Sequence, residues 1–281
     1  MSRHSFLFLL TLLSLFGGLA CNGSDPANGN RDPDSHTPPL PPGEVPTWSY
    51  RIVNVFQHDT TAYTQGLVFE DGEFLEGTGG GIRLSSRNLL SSLRRVAIES
   101  GEVLEQVILD EQYFGEGIAL LNGKIYQLTW RSQVGFVYAL DGLTPASEFT
   151  YSSEGWGLTH DGDHLWMSDG SAFLTERDPE NFAELGRVQV LHTGQPVAGL
   201  NELEWVEGEV WANIFTTDIV ARIDPASGAV VGWIDLRGLL TSRERQQTDV
   251  LNGIAYDPAT KRIFVTGKLW PWVFQIELIE G

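Results

Sequence analysis

One phrase recurs five times along this chain and restricts its fold more than any other feature. It reads Gln65-Gly66-Leu67, Glu116-Gly117-Ile118, Trp156-Gly157-Leu158, Asn201-Glu202-Leu203 and Asn252-Gly253-Ile254, at intervals of 51, 40, 45 and 51 residues. A strand-like run follows each copy, and then a tight turn: Glu70-Asp71-Gly72, Leu121-Asn122-Gly123, His160-Asp161-Gly162, Val206-Glu207-Gly208 and the longer Asp257-Pro258-Ala259-Thr260. A second apolar strand comes next, such as Ile125-Tyr126-Gln127-Leu128. Repeats of this length, built from short strands and Asn-Gly or Asp-Gly turns, predict a β-propeller. Five copies predict an all-β, five-bladed β-propeller.

The residue opening each phrase carries the functional information. In a propeller the innermost strands line a central channel, so Gln65, Glu116, Trp156, Asn201 and Asn252 should converge at one mouth of it. A ring that only holds structure tolerates small or apolar residues there. This one presents a carboxyl among three amides and an indole, which predicts a site.

The first residues read as an address. Arg3 and His4 precede the apolar run Phe6 to Phe16, and small residues lead to Cys21. Such a run is too short to span a bilayer and predicts a signal peptide over 1–20. Cys21 is the only cysteine, which excludes an internal disulfide. It sits where bacterial lipoproteins are lipidated, although Gly18 replaces the usual Leu. Export to the periplasm or to a membrane through a lipid on Cys21 is therefore expected, with simple secretion as the alternative. Residues 21–46 are rich in Asn, Asp, Gly and Pro and predict a solvated tether. Residues 47–281 remain for one propeller domain. The formal net charge of −19 argues against a nucleic-acid partner, whose phosphates it would repel.

The ends of the repeat suggest how the ring closes. The last blade stops at Trp272 to Leu278 with no strand after it, and Tyr50 to Phe56 is an unassigned strand before the first phrase. Pairing them would cover an open sheet edge. The N-terminal strand is expected to join the last blade.

Other motifs point elsewhere only weakly. His160-Asp161-Gly162-Asp163-His164 has the look of a metal loop, but it falls on a hairpin turn that needs no metal. Gly79-Gly80-Gly81 lacks the Lys and helix of a phosphate loop. No Gly-x-Ser-x-Gly elbow is present. Trp166, Trp205 and Trp211 read as blade packing.

Several segments, taken together, resemble the plant and bacterial type of glutaminyl cyclase. They are Tyr63-Thr64-Gln65-Gly66-Leu67, Tyr113-Phe114-Gly115-Glu116-Gly117, Leu128-Thr129-Trp130, Glu154-Gly155-Trp156-Gly157-Leu158, Leu200-Asn201-Glu202-Leu203-Glu204 and Thr266-Gly267-Lys268-Leu269-Trp270-Pro271. The resemblance spans the body from about residue 50. It implies a five-bladed glutaminyl-peptide cyclotransferase that converts the N-terminal glutamine of peptides or proteins to pyroglutamate and releases ammonia. It also implies no cofactor and no metal, and Glu116 as general acid and base, partly desolvated by Phe114, Trp130 and Trp156. Lys268, with Gln65 or Asn201, is then the oxyanion donor. Tyr63, Phe114, Trp130, Trp156, Phe215, Trp270 and Asn252 are the expected substrate-binding residues; Tyr63 and Trp270 are included as neighbours. A monomer is expected.

Two departures accompany the resemblance. Phe215 stands where the family commonly has tryptophan, so an indole donor is lost. The first blade also carries extra residues, Gly80 to Leu89, at the side of the expected mouth. Two other classes stay open: a ligand-binding propeller without catalysis, and a metal-dependent, lactonase-like propeller hydrolase. The second would need several channel carboxylates, of which the five phrase openings supply one.

Overall fold

The computed structural model describes residues 45–80 and 89–280. The signal peptide, Cys21, nearly all of the tether and positions 81–88 of the extra segment in the first unit lie outside the described residues. Strand β1 (Thr47–Gln57) comes first. It is followed by β2 (Thr64–Glu70), β3 (Glu73–Thr78), β4 (Ser92–Ala97) and β5 (Val103–Ile108), which form a four-stranded meander. A second meander holds β6 (Gly115–Leu121), β7 (Lys124–Thr129), β8 (Val134–Ala139) and β9 (Thr144–Thr150). The third holds β10 (Leu158–His160), β11 (Leu165–Ser168), β12 (Phe173–Arg177) and β13 (Glu184–Gln189), and a small ribbon, β14 (Leu191–His192) with β15 (Gln195–Pro196), follows it. Then come β16 (Leu200–Val206), β17 (Glu209–Ile214), β18 (Ile219–Ile223) and β19 (Val230–Asp235), a short helix α1 (Ser242–Arg245), and β20 (Leu251–Asp257), β21 (Arg262–Gly267) and β22 (Trp272–Glu280).

The tight turns have the backbone that their sequences demand. Asp71 and Gly72, Asn122 and Gly123, and Glu207 and Gly208 all have positive φ. Positive φ at both central residues matches the right-handed twist of the flanking strands, which is why short polar residues and glycine occupy these turns.

The N-terminal strand closes the last sheet, as its sequence suggested. β1 pairs antiparallel with β22, from Trp48 opposite Glu280 to Gln57 opposite Trp272. Its first two residues also run parallel to β19, pairing Thr47 with Trp233 and Trp48 with Ile234. The ladder starts one residue before the expected boundary, because the Pro46 carbonyl accepts the Trp233 N–H at 3.0 Å. The Arg222 guanidinium lies 4.0 Å over the Trp48 ring and fastens this start further. One strand thus joins β16–β19 and β20–β22 into a single eight-stranded sheet.

Around the molecule β2 contacts β6, β6 contacts β10, β10 contacts β16, β16 contacts β20, and β20 contacts β2 again. This closed cycle of inner strands is consistent with a propeller. Apolar clusters fill the seams: Leu75, Leu93, Ile118 and Ile125 between the first and second units, and Phe264 and Val273 against Leu67 and Phe74 where the last meets the first. Trp166 and Trp211 are buried in such clusters and Trp205 packs against one. All seven residues of β20 are buried, whereas β5 alternates between half-buried and exposed. The inner strand is thus far more deeply buried than the outer one, and its ends carry the residues that open each phrase.

Candidate active site

The ladder between the first two strands of a unit breaks at the recurring phrase. Pairing jumps from Thr64 to Gly66, from Gly115 to Ile118, from Leu200 to Leu203 and from Leu251 to Ile254. In the third unit pairing begins only at Leu158, and the Gly157 N–H turns to the Ser168 hydroxyl at 2.8 Å. Bulges of this kind release a residue from the pleat and re-aim its side chain. They fall at Gln65, Glu116, Asn201 and Asn252, the residues the repeat singled out.

Glycine follows the opening residue because the inner strands touch there. A Cβ on Gly117 would lie 2.5 Å from the Trp156 carbonyl oxygen, and one on Gly157 would lie 2.0 Å from that of Asn201. The Gly117 N–H donates across this gap to the Trp156 carbonyl at 2.8 Å. The return strands then bring a second set of side chains to the same end. Gly115 faces Thr129, Leu200 faces Ile214 and Leu251 faces Gly267, so Trp130, Phe215 and Lys268 leave their strands beside the phrase openings.

These residues build an aromatic wall. Tyr63, Leu89, Phe114, Trp130 and Leu269 form a buried cluster with Trp156 packed against it. Phe114 meets Tyr63 edge-on at 6.1 Å and Trp130 at 5.6 Å, and Trp156 meets Phe215 edge-on at 5.2 Å. The Lys268 ammonium lies 5.0 Å from the Tyr63 ring centre and 5.5 Å from that of Phe215, within cation–π range. Phe215 thus keeps the wall where an indole would have added a donor.

Glu116 is 5% exposed. Burial pushes its carboxyl well above the ordinary value; the Lys268 charge opposes this and the Glu154 charge reinforces it. The amides lie close by in the chain of contacts. The Asn252 Nδ2 donates to the Thr64 carbonyl at 3.0 Å and to the Gln65 Oε1 at 3.3 Å, so Asn252 steadies Gln65. The Oδ1 atoms of Asn201 and Asn252 are buried with no hydrogen-bond partner among the described residues, and an acceptor of that kind is costly unless a ligand or water donates to it.

Trp270 differs in setting from the other aromatics. It is 1% exposed, packs edge-on to Phe274 at 6.2 Å inside a seam cluster, and its Nε1 donates to the Asp249 carbonyl at 3.0 Å. Those are the contacts of a packing residue. On the third unit Asp161, His164 and Glu176 bring one ligand atom each within 4.8 Å. Their partners already account for them: Asp161 accepts the N–H groups of Asp163 and His164 and the Trp166 indole, and His164 lies 2.9 Å from Glu176.

Three residues without an assigned sequence role belong to the site. Glu154 accepts both the Trp130 and the Trp156 indole N–H. Asp249 accepts the Tyr63 hydroxyl at 3.1 Å. Glu202 fills the slot that is glycine in the other four phrases and accepts the backbone N–H of Leu67 at 3.3 Å and of Ile254 at 2.9 Å. Only the Glu202 exception was visible in the repeat itself. A cavity of about 920 Å³ opens at the opposite, hairpin-turn end, lined by residues such as Asp71, His160, Glu204 and Tyr256. Asp257 pairs there with Arg262 and Glu207 with Lys261, and the lining contains none of the phrase openings.

Comparison with known proteins places the chain in a family. The family model described as glutamine cyclotransferase matches residues 29–278. A glutaminyl-peptide cyclotransferase of Arabidopsis thaliana is 43% identical over 238 residues, covering 82% of this chain and 71% of its own. The crystal structure of Myxococcus xanthus glutaminyl cyclase superposes with a TM-score of 0.75 at 38% identity, over 85% of this chain and all of that one. This chain belongs to the glutamine cyclotransferase family.

Proposed function

We propose that this protein cyclises the N-terminal glutamine of peptides and proteins to pyroglutamate with release of ammonia. The observation that carries this reading is Glu116: a buried carboxyl, held toward its protonated form, on a bulge beside an aromatic wall and the Lys268 ammonium. The α-amine of the glutamine attacks its own side-chain amide carbon, so one C–N bond forms and one breaks. The reaction is intramolecular, and holding the reacting atoms in contact supplies much of the acceleration. Ionised Glu116 takes the proton that the amine sheds and returns it to the departing nitrogen, which leaves as ammonia. A raised pKa suits a group that must do both near neutral pH. Lys268, with Gln65 or Asn201, donates to the oxygen that gains charge in the tetrahedral intermediate. Tyr63, Phe114, Trp130, Trp156 and Phe215 hold the methylenes of the glutamine and exclude water.

The five four-stranded units, in this reading, are the five blades of one propeller, and the site lies at the phrase end of its channel. The enzyme is exported and reaches a membrane only through a lipid on Cys21. It works without a metal or other cofactor. Incubating the protein with a short Gln-initiated peptide in the presence of a chelator should release ammonia and lower the peptide mass by one ammonia. Loss of activity that a divalent ion restores would overturn the metal-free part. No turnover of any Gln-initiated peptide would overturn the cyclase reading and leave a binding propeller.

A further inference from the structure

We propose that Glu154 is the positioning residue that holds both indole walls of the pocket, Trp130 and Trp156, through one shared carboxylate. The inference rests on the cyclase reading of the site and adds a residue that makes no contact with the reacting atoms, although its charge also bears on Glu116.

One oxygen of Glu154, Oε2, accepts the Trp130 Nε1–H at 2.7 Å and the Trp156 Nε1–H at 3.0 Å. The other, Oε1, accepts from the Arg131 Nε at 2.7 Å. The Arg131 guanidinium in turn lies 4.0 Å over the Trp130 ring. Carboxylate, guanidinium and indole therefore brace one another in a closed triangle. Burial alone would push the Glu154 carboxyl up, but the bonds from Trp156, Arg131 and Trp130 outweigh it and keep the group below its ordinary value. It is thus an anion at working pH, the stronger acceptor for two indole donors.

The consequence lies in what each indole touches. Trp130 packs edge-on against Phe114, and Phe114 against Tyr63. Trp156 packs edge-on against Phe215, over which the Lys268 ammonium sits. A single carboxylate therefore links the two halves of the wall, which come from different units of the ring. The backbone beneath is held separately, because the Gly155 N–H donates to the Trp130 carbonyl at 2.9 Å. Replacing the carboxylate should loosen the rings without unfolding the loop.

Glu154→Leu and Glu154→Gln separate the possibilities in the full protein. In E154L both indoles lose their acceptor. The indole N–H resonances of Trp130 and Trp156, assigned with W130F and W156F, should move upfield and exchange faster while those of the other tryptophans stay. A misplacement of the substrate of this kind should lower kcat/KM on a Gln-initiated peptide by about 10²-fold. E154Q keeps one oxygen for the indoles but turns an amide N–H₂ toward Arg131, so it should move the same two resonances less and lose less activity. If E154L does not fold, E154Q alone decides through those two signals and its kcat/KM. Two unmoved indole resonances, or a kcat/KM within about twofold of wild type in E154L, would overturn the proposal. The indole signals are read without turnover, so an inactive wild type would overturn the cyclase reading and leave this test standing.

Discussion

Replacing Glu116 with glutamine should separate stability from activity, because the structure gives the two opposite signs. The side chain is 5% exposed, and burial is the largest influence on a carboxyl pushed well above its ordinary value of 4.5. A folded-state pKa above the unfolded one means that folding favours the protonated form. The wild type is therefore most stable below the ordinary glutamate range and loses stability as pH rises from there to the elevated value, beyond which the loss is constant. Each unit of elevation corresponds to about 1.4 kcal/mol. Glutamine is nearly isosteric and never ionises, so E116Q escapes this loss. At pH 8 it should melt above the wild type, by roughly 2–4 °C for each kcal/mol recovered in a domain of this size. Near pH 4 the two should melt together. Turnover moves the other way. Losing a positioned acid and base should lower kcat by about 10²–10⁴-fold, equivalent to about 3–5 kcal/mol of barrier. Differential scanning calorimetry across pH, with ammonia release on the same samples, measures both. A variant that melts lower at pH 8 would refute the buried, protonated-leaning carboxyl. One that turns over within a few fold of wild type would place the proton shuttle on another residue.

Two further outcomes test the frame that holds the site. Deletion of residues 1–44 should leave melting and activity unchanged, whereas deletion through Gln57 should expose the edge of β22, sever its link to β19 and cause aggregation or loss of a cooperative melt; an unchanged melt for the longer deletion would contradict the closing role of β1. Gly157→Ala should be severely destabilising, because its Cβ would lie 2.0 Å from the Asn201 carbonyl, a fixed backbone atom. Overpacking in a tight site costs about 1–3 kcal/mol or more, so a melting point within one degree of wild type would show that the inner strands are less closely packed than the geometry states.

The repeat alone determined a good deal. Period, turn residues and alternating strands are local properties, so five similar units, their Asp-Gly and Asn-Gly hairpins and the spare strand Tyr50 to Phe56 were all legible in the chain. So was the set of opening residues, because a break from glycine and apolar residues at a repeated position stands out without any coordinates. Local patterns do not encode partners that lie far apart in sequence. Glu154 reads as one acidic residue before Gly155 until the fold sets the Trp130 indole 2.7 Å from it. Trp270 and Trp130 look alike as residues, yet one faces a seam and the other the wall, a choice made by the register of β21 and β7 and by what the neighbouring unit offers. Glu202 shows both sides. Its departure from glycine is written in the repeat, but its reach to the backbones of Leu67 and Ile254 exists only once the ring has brought three inner strands together. The reason is physical: strand and turn preferences act over a few residues, whereas the burial that shifts a carboxyl and the bonds that aim an indole come from surfaces that meet only when the ring closes.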